Sequence, residues 1–474
     1  MGEADRQALH ALDASAMAQG FASGAFSPLD VTRAVMAQIE RCEPQLQALY
    51  AYDPQAALDQ ARASELRWQR GQPLSPIDGV PGTLKENIAT AGCPMPLGTA
   101  ASDLTPKASD APPAARWREA GLVLLAKTTM PDYGMLSSGV SSFHPLTRNP
   151  WDTAFNPGGS SAGAGAAAAA GYGPLHVGTD IGGSVRLPAA WCGVFGLKPS
   201  LGRIPIQPPF AGRVAGPMTR TVRDSAWLMS VLSRPDWRDT MSLPFQSIPW
   251  LRLEREVKGL RIGLQLDAGW GLEAEPETRA AVEAAARAFE AAGAVVEAIP
   301  AFSTRAMIDG IDRFWRMRSY LDMQALSPER RAKVLPYIRA WADAAAHLSA
   351  AELFDGYSQM GALREAAVAA CQPFDFVLSP VSPVPSYRAD WASPTNDPAR
   401  PLEHIAFTLP YNMSEQPAAS INCGFTAAGL PIGLQVIGQR HDDLGVLQLA
   451  HAYEQLRPAQ RPWPMQVGRF KGLR

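Results

Sequence analysis

Apolar and polar positions alternate along this chain in two rhythms, one helical and one extended. Residues 31–42 (VTRAVMAQIERC) carry apolar side chains at helical spacing, with Asp30 standing where an N-cap is expected. Residues 114–120 read as the end of a helix stopped by Gly121, and 122–125 (LVLL) as a short buried strand. The same helix–glycine–strand order returns at 278–292, Gly293 and 294–299. Further strands are predicted at 260–266, at 376–378 ahead of a proline-rich turn, and at 432–437, with a closing helix over 443–456. Such alternation predicts a layered α/β fold around a parallel or mixed sheet.

Two stretches break the rhythm. Residues 301–370 are helix-rich and hold Phe314, Trp315, Tyr320, Tyr337 and Trp341, which predicts a helical insert capping the sheet, its aromatics packed toward the core. Residues 73–220 are dense in glycine, serine and proline, the texture of shaped functional loops. No repeat period and no linker-like run interrupts the chain.

Composition narrows the class. At 474 residues the chain is one large domain or two, and 46% hydrophobic with 19% charged residues excludes a disordered protein. A balance of 43 basic and 45 acidic residues leaves no electrostatic footprint for nucleic acid or an anionic membrane. Residues 1–6 (MGEADR) are polar with no apolar stretch after them, so neither a secretory signal nor a myristoylation pattern is expected. The Ala/Gly stretch 162–173 is too short and too weakly apolar to span a bilayer. Cys42, Cys93, Cys192, Cys371 and Cys423 are scattered and never in CxxC spacing, which predicts free thiols in a reducing cytoplasm.

The chemistry lies in small-residue loops. HExxH, a Cys/His cluster, the P-loop and the GxSxG elbow are all missing from the sequence, and the seven histidines are spread thinly enough to read as surface or satisfied core residues. Residues 156–163 (NPGGSSAG) and 178–188 (GTDIGGSVRLP) instead combine paired glycines with serine. Such loops let backbone N–H groups approach a developing oxyanion with a hydroxyl alongside, although a phosphate cradle or a plain turn uses the same residues. Lysine is scarce, seven against 36 arginines, and Lys85 sits among small and apolar neighbours in GVPGTLKEN. It can act as a base only when neutral, which requires burial to lower its pKa by roughly three units, about 4 kcal/mol; otherwise it pairs with Glu86 or another acid. Sequence leaves both readings open.

Together the blocks become specific. GVPGTLKENI (79–88), NPWDTAFNPGGSSAG (149–163) and GTDIGGSVRLPAAWCGVFGLKPSLGR (178–203) resemble the amidase signature family. So do KTTMPDY (127–133), GPMTRTVRDSA (216–226), FDFVLSPVSPVPS (374–386) and the segment 410–438, all in family order between about residues 25 and 457. The resemblance implies a Ser–cisSer–Lys triad: Ser184 as nucleophile, Ser160 as bridge after a cis Gly159–Ser160 bond, and Lys85 as base. It implies an oxyanion site at the amides of Ile181, Gly182, Gly183 and Ser184, and a supporting hydrogen bond from Ser161 to Lys85 or Ser160. Thr179, Asp180 and Arg186 would tie down the nucleophile loop. Gly134, Met135, Leu136 and Ser137 would line the substrate cleft, with a core role for Met135 as the alternative. Residues 204–213 and the aromatic insert would add apolar walls suited to an apolar or aryl amide. Ala162 and Gly82 depart from the family's usual residues without removing a reactive group.

The resemblance further implies a single α/β domain over 1–474 with a mixed β-sheet core covered by helices on both faces, a signature core at 73–230 and a helical insert at 301–370. The expected activity is hydrolysis of carboxylic amides, with carbamates and oligoamides in range, through an acyl-enzyme on Ser184. No metal or cofactor is expected. The expected partner is a small amide substrate, with no nucleic acid or membrane, and the chain a monomer or homodimer. One alternative is the A subunit of a tRNA-dependent amidotransferase acting with partner subunits; another is a non-catalytic binding protein on the same fold.

Overall fold

The computed structural model describes residues 8–467; the polar run 1–6 and Lys471 lie outside the described residues. One mixed sheet organises the molecule. Its strands are β1 (Leu49–Tyr50), β2 (Pro81–Lys85), β3 (Val123–Thr128), β4 (Leu175–Asp180), β5 (Phe195–Lys198), β6 (Val214–Thr219), β7 (Arg261–Leu264), β8 (Val295–Ala298), β9 (Phe376–Pro380), β10 (Ala418–Phe425) and β11 (Pro431–Gly438). Their spatial order is β1-β3-β2-β4-β6-β5-β10-β11-β9-β7-β8. β2 runs parallel to both β3 and β4, and β7 parallel to β8 and β9, while the centre from β4 to β9 is antiparallel.

Helices cover both faces. Val222–Leu232, Pro276–Ala291 and Asp443–Leu456 pack on one another and on the strands, while Ala162–Ala170 and Arg186–Cys192 form a second group. All nine residues of Ala162–Ala170 are buried, so the Ala/Gly stretch is a tightly seated core helix. Gly163 is one reason: a Cβ there would meet the Ala48 carbonyl oxygen at 2.1 Å. The expected helical insert consists of Arg305–Gln324, Pro328–Arg331, Pro336–Asp343 and Ala350–Cys371.

One local expectation shifts. The helix predicted at 31–42 runs Pro28–Leu46, and Ser27, not Asp30, is its N-cap. Pro28 fits the first turn because its missing N–H would have no helical partner there, and Asp30 returns a carboxylate to the Ser27 amide to complete a capping box. Among the described residues no helix is long and apolar enough to cross a membrane.

Candidate active site

The parallel strands β2 and β4 end side by side and bring Lys85 against Thr179. Lys85 closes β2 and Thr179–Asp180 close β4. Lys85 is fully buried; its Nζ donates to Ser160 Oγ at 2.7 Å and to Thr179 Oγ1 at 3.1 Å. Asn87 Nδ2 donates to the same threonine oxygen at 3.0 Å. Burial drives the Lys85 pKa well below the ordinary lysine value; the Arg213 charge adds to this, and Asp180 and Glu86 oppose it.

The alternative of a Lys85–Glu86 ion pair is excluded by where Glu86 points. That carboxylate accepts the amides of Leu97 and Gly98 and bonds His144 Nε2 at 2.6 Å. Among the described residues Lys85 therefore has hydroxyl partners and no carboxylate partner. Ser160 follows the cis Gly159–Ser160 bond and precedes the buried helix Ala162–Ala170. The expected Ser161 support for Lys85 or Ser160 takes another form. Ser161 Oγ bridges the Thr179 amide and carbonyl, both at 3.2 Å, and the Ser161 amide donates to the Ser184 carbonyl at 3.2 Å. It staples the two serine loops to β4 instead of touching the lysine.

Ser184 sits in the loop after β4, on the wall of the same cavity as Ser160, and its hydroxyl is not hydrogen-bonded to another described residue. Asp180 holds that loop. Its carboxylate accepts the amides of Gly183 (2.8 Å) and Val185 (3.0 Å) and binds the Arg186 guanidinium at 2.9 Å. Burial pushes the Asp180 carboxyl up, but the Arg186 charge and the hydrogen bonds from Arg186, Asn412 and Val185 outweigh it and hold it well below the carboxylate range. Arg186, itself fully buried, is completed by Thr408 O, Gln435 Oε1 and Asn412 Oδ1.

This network corrects one oxyanion assignment. Because the Gly183 amide is committed to Asp180, the amides left without a partner among the described residues are those of Ile181, Gly182 and Ser184. Gly183 shapes the loop instead. Its φ is +125°, and a Cβ would come within 2.6 Å of Thr408 Oγ1, the hydroxyl that donates to the Gly182 carbonyl.

Two recesses meet at Ser184. The wider, about 530 Å³, is bordered by Ser160, Thr179, Tyr133, Phe210, Arg213 and Arg318. The narrower, about 50 Å³, takes Leu136, Ser137, Gly182, Trp315, His404 and Ile405. Gly134, Met135, Leu136 and Ser137 all line the narrow recess, and Gly134 and Met135 border both. Residues 204–213 do more than supply apolar walls, since Arg213 brings a cation to the cavity.

Sequence reading missed several contributors. Asn87, Thr408, Asn412 and Gln435 support the loop across long chain separations that no local pattern reveals. His404 contradicts the expectation that every histidine is exposed or satisfied. It is buried, both ring nitrogens lack partners among the described residues, and burial lowers its pKa to about 3, so it is a neutral imidazole in the recess wall.

A hydroxyl held on a desolvated amine, a second serine across the same cavity and three free amides beside it make up equipment for acyl transfer. The chain belongs to the amidase signature family: the Amidase family model matches residues 30–447. It is 35% identical to a glutamyl-tRNA(Gln) amidotransferase subunit of Myxococcus xanthus (strain DK1622), over 92% of this chain and 96% of that protein. It is 32% identical to the acylamidase of Rhodococcus erythropolis, over 95% of this chain and 97% of that protein. A solved structure of a bacterial aryl acylamidase of the same family superposes with a TM-score of 0.86 at 30% identity, covering 94% of this chain and 96% of that one. The protein is thus an amidase, a hydrolase of carbon–nitrogen bonds.

Proposed function

We propose that the protein hydrolyses carboxylic amides with an apolar or aryl acyl group through an acyl-enzyme on Ser184. The observation that carries this reading is the 2.7 Å contact between buried Lys85 and Ser160, with Ser160 on the wall of the cavity that Ser184 shares. With the amine neutral, its lone pair takes the Ser160 proton while Ser160 takes the Ser184 proton. The Ser184 oxygen attacks the carbonyl carbon, and the amides of Ile181, Gly182 and Ser184 receive the oxyanion; losing one such donor costs about 3 kcal/mol. As the C–N bond breaks, the proton returns through Ser160 to the leaving nitrogen. Water then repeats the sequence on the ester and frees the acid. Leu136, Trp315 and Ile405 suit the narrow recess to the acyl group.

A second reading, a tRNA-dependent amidotransferase in which this chain is one component, draws on the Myxococcus relative. The same triad would serve there. The two readings part on one assay: the purified single chain with an acyl anilide. Hydrolysis that falls by about 10⁴-fold or more in Ser184→Ala supports the stand-alone amidase. Activity that emerges only with partner subunits supports the second reading, and full activity in Ser184→Ala places the nucleophile elsewhere.

A further inference from the structure

Two arginines border the wide cavity without taking part in the proton relay. Arg213 is partly buried, and among the described residues its side chain makes one hydrogen bond, from Nη1 to the Pro208 carbonyl at 3.2 Å. Arg318 rises from the helix Arg305–Gln324 and lies over the Phe210 ring, 4.6 Å from its centroid. Neither is in an ion pair with a described residue. The buried arginines, by contrast, are spent: Arg186 on Asp180, Arg203 on Asp443 at 2.9 Å, and Arg220 on the carbonyls of His10, Ala11 and Leu12. Asp322 borders the same cavity one turn from Arg318, but it is exposed and bonds neither guanidinium. Each guanidinium offers five N–H donors, and neither spends them on a carboxylate of a described residue. Two such cations bordering one cavity are placed to meet an anion.

The relay decides which half of the substrate meets them. Ser160 and Arg213 border the wide cavity and not the narrow recess, while Arg318 stands where the two meet. The leaving nitrogen must take its proton from Ser160, so the amine half faces the wide cavity and the acyl half the narrow one. We propose that the amine half carries a carboxylate held by Arg213 and Arg318, so that the preferred substrates are apolar acyl amides of amino carboxylic acids. This rests on the amidase reading and names the substrate class within it.

The test pairs N-acyl 3- and 4-aminobenzoate and N-acyl 4-aminobutyrate each with its uncharged primary-amide counterpart. With the purified chain, kcat/KM for at least one carboxylate exceeds that of its partner by about 10- to 100-fold, the range of a charge-assisted contact. Arg318→Met brings the ratio close to one, and Arg318→Lys keeps part of it. Calorimetry of the same carboxylates against Ser184→Ala reads recognition without turnover, and binding there is lost on adding Arg318→Met. Hydrolysis with no preference in any pair, or a preference unchanged in both Arg318→Met and Arg213→Met, overturns the proposal while leaving the amidase reading intact. No turnover of any pair, together with no fluorophosphonate adduct on Ser184, defeats the amidase reading and this inference with it.

Discussion

The proposed relay turns on Lys85, because its environment removes both solvent and counter-charge. A lysine paired with a carboxylate would stay protonated and could not accept a proton. Here the neighbouring acids are occupied, Glu86 by His144 and two amides, Asp180 by Arg186 and its own loop. The folded pKa lies below the ordinary lysine value, so the active neutral form predominates above it and is lost as pH falls through it. On an uncharged anilide, kcat/KM therefore falls on the acid side. Because the Arg213 charge helps keep Lys85 deprotonated, Arg213→Met moves that acid limb to higher pH. An acid limb unchanged by the substitution would detach Arg213 from the lysine. Lys85→Ala lowers kcat by about 10²- to 10⁴-fold, more than it changes KM; equal losses in both would point to a structural role.

At the scale of elements, the ends of β2 and β4 meet because the strands can approach closely. A Cβ at Gly82 would lie 1.8 Å from the Leu175 carbonyl oxygen, so Gly82→Ala separates the two strands and draws Lys85 away from Thr179. The expected result is a lower melting temperature together with loss of turnover; a variant equal to the parent in both would refute the argument. These strands were not legible in the sequence for the same reason. β2 (PGTLK) and β6 (VAGPMT) contain glycine and proline, which are poor strand formers, and their pairing is set by tertiary proximity. In contrast, β9, β11 and Asp443–Leu456 announce themselves, since their apolar runs or helical spacing are local. The proposed triad was readable because its blocks match a family. The commitment of the Gly183 amide to Asp180 was not, because it depends on how the loop folds back.

β5 ends in another buried lysine that offers an independent check on desolvation. Lys198 donates to the Pro199 carbonyl at 3.0 Å, and burial lowers its pKa from 10.5 to about 7. The unfolded chain keeps that proton up to pH 10.5 while the folded chain releases it above about 7. The burial penalty is therefore complete below about pH 7, shrinks as pH rises and vanishes above 10.5. Within that window Lys198 makes stability rise with pH, by about 1.4 kcal/mol per unit. The difference in unfolding free energy between the parent and Lys198→Met follows this slope, whereas a pH-independent difference would mean that Lys198 stays charged in the fold.

Across the whole molecule, the mixed sheet brings together residues from distant parts of the chain at one cavity. Lys85 comes from β2, Ser160 from the loop before a buried helix, Ser184 from the loop after β4, and Trp315 and Arg318 from the helical insert. The insert was visible in the sequence as an aromatic, helix-rich stretch, but its arginine facing the cavity was one among 36. The central claim is that neutral Lys85 works through Ser160 on Ser184. Its most direct test is the rate of fluorophosphonate labelling, measured across pH by peptide-mapping mass spectrometry in the parent and in Lys85→Ala. The account predicts an adduct on Ser184 whose rate climbs as Lys85 loses its proton, and a slow rate without that climb in the variant. An adduct on another residue, or the same pH dependence in Lys85→Ala, would contradict it.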